Sequence, residues 1–350
     1  MSTILINIVC LSLVVGLAYK LVGCLVVWLT QRQLMDVPNE RSSHTIATPR
    51  GGGLVIIGLG IAAVLLIAIQ SPTPKLFAIV ALLWAGWAYL SWADDTLNLP
   101  AKQRFSIQFG LAIASVVLIG WISDLQWSQH NSVELGGFGV VVSVIGLVWI
   151  ANLYNFMDGI DGMAASQAII ASITFGFWFF AHGGNELALV SWIVAAASYG
   201  FLLHNWQPAK VFMGDVGSIG LGVFFGLLLI IAHNRYAVPV LSSVILMFVF
   251  IADTMLTLAR RALHREPLLQ AHRSHYYQRL VIAGCSHRQV VLIYIAAMIV
   301  CSLAATVALY NRDLLLPIFA VVVVASLFSA ALCAQYAKAK QRAVDSDRKT

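Results

Sequence analysis

Residues 137–181, GFGVVVSVIGLVWIANLYNFMDGIDGMAASQAIIASITFGFWFFA, decide the fold. Two apolar blocks flank a short polar centre. Each block is long enough to cross a hydrocarbon core, which takes about 20 helical residues. The centre runs from Asn152 through Asn155 and Asp158 to Asp161, one polar residue at every third position. On a helix, steps of three drift by about 60° each, so Asn155, Asp158 and Asp161 are expected on one face. The alternative is a polar turn built on the two Asp-Gly steps. Carboxylates at membrane depth are costly and mark function.

The rest of the chain repeats the pattern. Of 350 residues, 60% are hydrophobic and 10% charged, where a soluble domain carries about 25% charged residues. Apolar blocks lie at about 4–29, 51–70, 76–93, 105–123, 137–154, 162–181, 186–204, 217–232, 238–259, 290–310 and 314–337. The expected fold is therefore an all-α polytopic membrane protein with eleven transmembrane helices. It is one domain over 1–350, ending in a polar tail at 338–350. The first block is too long for a signal-peptide core and reads as a retained span. Lys20 within it either snorkels or lines the bundle interior. The five cysteines show neither zinc spacing nor a disulfide framework and read as packing thiols.

Basic residues orient the bundle. Seventeen of the 21 lie in one set of alternate connections and in the tail, against Lys75, Arg235 and Arg312 in the other set. The first set is expected in the cytoplasm, with the N-terminus periplasmic. An odd number of spans agrees with that. The net charge of +6 follows from this asymmetry and calls for no nucleic-acid partner.

The acids gather where that rule puts the cytoplasm. Asp94 and Asp95 end the third span, Asp158 and Asp161 follow the fifth, Asp215 precedes the eighth, and Asp253 lies late in the ninth. Asp215 stands in FMGDVGS, residues 212–218. It reads either as a helix N-cap or as a metal-bridging acid where free amides favour phosphate. Adjacent acids such as Asp94 and Asp95 repel unless a cation sits near them. In the loop DVPNERSSHTIATPRGGG, residues 36–53, the glycines suit close helix packing, while Arg41, His44 and Arg50 suit phosphate. In the segment 260–289, the arginines suit anionic lipid. The run His272-Arg273-Ser274-His275 suits a nucleotide or diphosphate better.

Taken in order, TPRGGG, Asp94-Asp95, NFMDGIDG, FMGDVGS, DTMLTLARR and HRSHYYQRL make the chain resemble the polyprenyl-phosphate N-acetylhexosamine-1-phosphate transferase superfamily (MraY/WecA-like). The resemblance runs from about Val37 to Val290. It implies Asp215 as the principal Mg²⁺ ligand, with Mn²⁺ as a substitute. It implies Asp94 and Asp95 as the acidic pair, one of them a metal ligand or a base. Asn155, Asp158 and Asp161 match the nucleotide and metal site, His275 the first histidine of the cytoplasmic histidine motif, and Thr48, Pro49, Gly52 and Gly53 the first cytoplasmic loop. Two departures stand out. The WecA-type His-x-His-His is here His275-Tyr276-Tyr277-Gln278, and the muramoyl-peptide transferases' first-loop lysine has no counterpart in Arg41-Ser42-Ser43-His44. Both argue against the peptidoglycan enzyme, while the Pro-Asn-Glu-Arg-Ser-Ser-His string and HYYQRL look most like the WbpL-type O-antigen initiators.

The resemblance implies transfer of an N-acetylhexosamine 1-phosphate from a UDP-sugar to undecaprenyl phosphate in the bilayer of the bacterial inner membrane, on its cytoplasmic side. Two alternatives stand beside it. One is the muramoyl-pentapeptide transferase of peptidoglycan synthesis. The other is an ion-coupled transporter, whose sites usually lie at the midplane between repeats; no repeat is visible here.

Overall fold

The computed structural model describes residues 3–38, 46–97, 99–267, 270 and 272–347. Its helices are α1 (Thr3–Gln31), α2 (Gly53–Gln70), α3 (Pro74–Leu97), α4 (Ala101–Ile119), α5 (Phe138–Met157), α6 (Met163–Ala181), α7 (Asn185–Asn205), α8 (Asp215–Tyr236), α9 (Val240–Leu246), α10 (Phe248–Leu263), α11 (Tyr276–Ile282), α12 (His287–Tyr310) and α13 (Leu315–Asp347). Two short antiparallel ladders complete it. One pairs β1 (Met35–Asp36) with β2 (Thr48–Pro49), and the other pairs β3 (Asp124–Gln126) with β4 (Ser132–Glu134). Arg41 and His44 fall outside the described residues.

The chain is an all-α polytopic membrane protein. Among the described residues nine helices are long and apolar enough to cross a bilayer, and a tenth span forms if α9 and α10 count as one. The eleventh expected block is α4, which packs between α3 and α5. Its first turns carry Lys102, Gln103, Arg104 and Gln108, which interrupt its apolar run. The block at 238–259 differs from the continuous span expected: it breaks at Met247 with a bend of 78°. No glycine or proline marks that point.

The core is arranged around α8. Of its most apolar window 89% is buried, against 6% for the window that covers α13, so α8 is central and α13 faces lipid. Small residues let neighbours close on α8. A Cβ on Gly222 would lie 2.6 Å from the Ile150 carbonyl oxygen, and one on Gly53 would lie 2.4 Å from Gly217 Cα. Trp84 Nε1 donates to the Gly220 carbonyl across 2.8 Å and fixes α3 against the same helix. The cysteines only partly follow the packing expectation. Cys301 and Cys333 are buried, Cys285 is half-buried, and Cys10 and Cys24 are exposed. Lys20 is also exposed, which fits a snorkelling side chain rather than one lining the interior.

Candidate functional site

Two glycine-rich segments meet at the starts of α2 and α8. Phe212 N donates to the Pro49 carbonyl (2.8 Å), while Gly51 N (3.1 Å) and Gly52 N (2.9 Å) donate to the Phe212 carbonyl, and Gly53 N (2.9 Å) donates to that of Met213. Gly214 has φ +76°, and a Cβ there would meet Gly51 Cα at 3.1 Å. Glycine allows both this backbone conformation and this approach. The stitched segments deliver Arg50 to Asp215 at the first position of α8.

Four expected site residues converge there. Arg50 pairs with Asp215, and the same guanidinium nitrogen, Nη2, lies 3.5 Å from Asp95 Oδ1. Asn155 Nδ2 donates to Asp215 Oδ1 and to Ser218 Oγ, each at 2.9 Å. Burial disfavours the charge on Arg50, but the fields of Asp215 and Asp95 outweigh burial and raise its pKa. Ser218 belongs to the FMGDVGS motif but was not itself expected in the site.

The acidic pair splits. Asp95 faces Arg50. Asp94 turns to α4, where Arg104 Nη1 donates to its Oδ2 at 2.9 Å. Successive helical residues point about 100° apart, so only one member of an adjacent pair can face a given partner.

The NFMDGIDG segment corrects the one-face expectation. Helix α5 ends at Met157, Asp158 is its C-cap, and Gly162 is left-handed with φ +80°. Asn155 alone is helical; Asp158 and Asp161 sit in a turn made by the Asp-Gly steps. Asp158 is half-buried, and its side chain makes no hydrogen bond among the described residues. Burial raises its pKa well above the usual carboxylate range; Arg50 opposes that shift, and Asp215 and Asp161 add to it. Asp161 is engaged elsewhere. Its Oδ1 lies 3.3 Å from His287 Nδ1, and its Oδ2 accepts from Ala209 N at 3.1 Å. It ties the turn to the start of α12 rather than to Arg50.

The histidine segment is positioned by Asp253, which accepts four hydrogen bonds from beyond its own helix: His275 Nδ1 (3.0 Å), Tyr276 N (3.0 Å), Tyr277 N (3.1 Å) and Tyr294 Oη (2.5 Å). Two of these donors are the first amides of α11, so Asp253 caps that helix from α10. Tyr277 Oη donates to the Phe156 carbonyl at 2.9 Å. A Cβ on Gly159 would lie 2.0 Å from that hydroxyl. Helix α11 therefore docks on the NFMDG turn. The His275 ring lies tilted near Phe156 (6.3 Å) and His272 (5.0 Å). His272 also shares a 3.0 Å hydrogen bond with Ser274. Burial, with His275 and Arg261 nearby, pushes the His272 pKa down to about 4. Arg273 is half-buried, and its Nε has no partner among the described residues. Tyr294, inside an apolar block, gave no hint of its role. An apolar cavity of about 360 Å³ between α10, α12 and α13 reaches Asp253, Tyr276 and Tyr294.

Among the described residues no three His, Cys, Asp or Glu side chains converge as a metal cage. Asp95 Oδ1 and Asp215 Oδ1 nevertheless address one cationic nitrogen from two helices. That donor set suits Mg²⁺, which takes one or two carboxylates and completes its shell with substrate phosphates and water.

Fold and site together define a polytopic membrane protein that presents a phosphate-compatible charge cluster at one end of its helices. The chain belongs to glycosyl transferase family 4, which it matches over residues 52–233. It is similar to a probable undecaprenyl-phosphate N-acetylglucosaminyl 1-phosphate transferase of Bacillus subtilis, 32% identical over 78% of this chain and 76% of the relative. It is also similar to the decaprenyl-phosphate N-acetylglucosaminephosphotransferase of Mycobacterium tuberculosis, 32% identical over 83% and 80% of the two chains. A phospho-N-acetylmuramoyl-pentapeptide-transferase of Moorella thermoacetica is 27% identical over 77% and 86%.

Proposed function

We propose that the protein transfers an N-acetylhexosamine 1-phosphate from a UDP-sugar to undecaprenyl phosphate at the cytoplasmic face of the inner membrane, starting a lipid-linked glycan such as O-antigen. The observation that carries this reading is the convergence of Arg50, Asp95, Asn155 and Asp215 at the starts and ends of four elements. The kinship with polyprenyl-phosphate transferases supports it, as does the basic-residue asymmetry for the cytoplasmic side.

In this reading Asp95 and Asp215 hold Mg²⁺, which neutralises the donor diphosphate when bound. Arg50 grips phosphate oxygens through its planar fork. The acceptor phosphate lies at the interface, and its chain runs in lipid and along the apolar cavity beside α10. A lipid phosphate oxygen forms a bond to the donor's β-phosphorus. The bond from that phosphorus to the bridging oxygen breaks, and UMP leaves with the electron pair. The second pKa of a phosphomonoester is about 6, so the nucleophile is already anionic near neutral pH. Positioning and charge neutralisation then do most of the catalysis, and no general base is required. Asn155, His272, Arg273 and His275 contact the nucleotide or its diphosphate. Asp158 orients it from the turn.

The likeness to a muramoyl-pentapeptide transferase gives a second reading. It is weighed against by Tyr277 and Gln278, which stand where further histidines are expected, and by Arg41-Ser42-Ser43-His44, which lacks the first-loop lysine of the muramoyl-peptide transferases. Purified protein is incubated with undecaprenyl phosphate, Mg²⁺ and, in separate arms, labelled UDP-GlcNAc, UDP-FucNAc, UDP-QuiNAc and UDP-MurNAc-pentapeptide. UMP and labelled lipid are expected in one of the first three arms. Product only with the pentapeptide donor establishes the second reading, and product in none defeats both.

A further inference from the structure

Arg50 stands where a cation shared by two carboxylates would stand. Its Nη2 pairs with Asp215 Oδ1 and lies 3.5 Å from Asp95 Oδ1. The same Asp215 oxygen also accepts from Asn155. The backbone around Arg50 is stitched to 212–213 by four hydrogen bonds, so the guanidinium is tethered and can leave only by rotating its side chain. Two facing carboxylates repel, and either a proton or a cation relieves that repulsion. One oxygen cannot serve a guanidinium, an amide and a divalent ion at once. Seating both cations would also place three positive charges against two negative ones.

We propose that Arg50 is a built-in counter-cation. It holds the Asp95–Asp215 pair, competes with the divalent ion for Asp215 Oδ1, and yields that oxygen when a diphosphate arrives to take the guanidinium. The inference rests on the phosphotransfer reading and deepens it. An arriving diphosphate supplies the missing negative charge and offers the arginine fork a bidentate partner. Metal and donor then bind with positive coupling, which is reciprocal by linkage. The tethered backbone keeps Arg50 within reach of both partners.

The test is equilibrium binding of Mn²⁺ to the purified full-length protein, with and without UDP-GlcNAc. The chains compared are wild type, Arg50→Gln, Arg50→Lys and Arg50→Gln/Asp215→Asn. Without donor, Arg50→Gln is expected to bind Mn²⁺ about tenfold more tightly than wild type, although its turnover falls. Arg50→Lys, with a shorter cation, is expected to gain less. The double variant is expected to lose the gain, and donor is expected to raise Mn²⁺ affinity in wild type. Equal or weaker binding by Arg50→Gln overturns the proposal, and so does a gain that survives Asp215→Asn. If Arg50→Gln does not fold, absence of any gain in Arg50→Lys overturns it. Mn²⁺ retained by wild type with donor but not improved in the variants sinks the counter-cation alone. No Mn²⁺ on any of them, donor present, sinks the metal reading beneath it as well.

Discussion

Asp94 and Asp95 are neighbours in the chain with different tasks. Asp95 shares a cation with Asp215, while Asp94 is held by Arg104. Asp95→Asn is therefore expected to cut turnover by about 100-fold, and Asp94→Asn by about tenfold or less. Arg104→Ala should reproduce the Asp94→Asn effect, and the double variant should add little to either, because the two residues form one pair. Steady-state UMP release checks all three; a larger loss at Asp94 than at Asp95 would reverse the assignment. Asp253 acts through His275. An amide at position 253 replaces one of the two acceptor oxygens with a donor, set against either His275 Nδ1 and Tyr276 N or Tyr277 N and Tyr294 Oη, so Asp253→Asn should lower kcat and alter its pH profile more than it changes KM. His272, with its pKa near 4, is neutral across the working range. Its folded pKa lies below the ordinary value of about 6.5, so the unfolded chain binds the proton more readily between those values. The stability it contributes is present above about pH 6.5 and is lost as pH falls toward 4. Thermal melts of wild type and His272→Gln across that window should converge at the alkaline end and separate at the acid end.

At the scale of elements, the site is assembled by close approaches that only glycine permits. A Cβ at Gly159 would lie 2.0 Å from Tyr277 Oη and 3.0 Å from its ring carbon. Gly159→Ala should therefore push α11 off the NFMDG turn and reduce activity. Adding Tyr277→Phe, which removes the nearer atom, should restore part of it. Overpacking of this kind costs about 1–3 kcal/mol, enough to see in a thermal melt. The spans themselves were legible because each apolar block is about as long as a bilayer is thick. The break at Met247 was not, since the usual punctuation of glycine or proline is missing. The NFMDGIDG segment was half legible. Its every-third spacing suggested a helical face, but the two Asp-Gly steps end α5 at Met157 and leave only Asn155 on it. The role of Asp161 was hidden because its partners, His287 and the amide of Ala209, are distant in sequence. Tyr294 lies in an apolar stretch where nothing distinguishes a hydrogen-bonding hydroxyl from a packing one, and Ser218 closes the FMGDVGS motif, where Asp215 drew the reading.

For the whole molecule, α8 is the shaft on which the site is mounted. Asp215 opens it at the charge cluster, and His233 near its other end meets Asp124 of β3 at 3.3 Å. The two ends of a 22-residue helix stand about 33 Å apart, which separates the acid cluster from the β3–β4 hairpin by about one membrane thickness. The basic-residue asymmetry supports the proposed cytoplasmic side for the cluster. A reporter fused after α13 should accordingly be active only in its cytoplasmic form, and one fused before α1 only in its periplasmic form. The reverse pattern would place the site on the wrong side for a nucleotide-sugar donor. The central claim is that Arg50, Asp95, Asn155 and Asp215 form a phosphoryl-transfer centre. Its most direct test is UMP release by purified wild type and Asp215→Asn with a UDP-N-acetylhexosamine, undecaprenyl phosphate and Mg²⁺. Lipid- and Mg²⁺-dependent UMP is expected from wild type, with a loss of at least about 100-fold in a folded Asp215→Asn protein; full turnover by that variant would contradict the account.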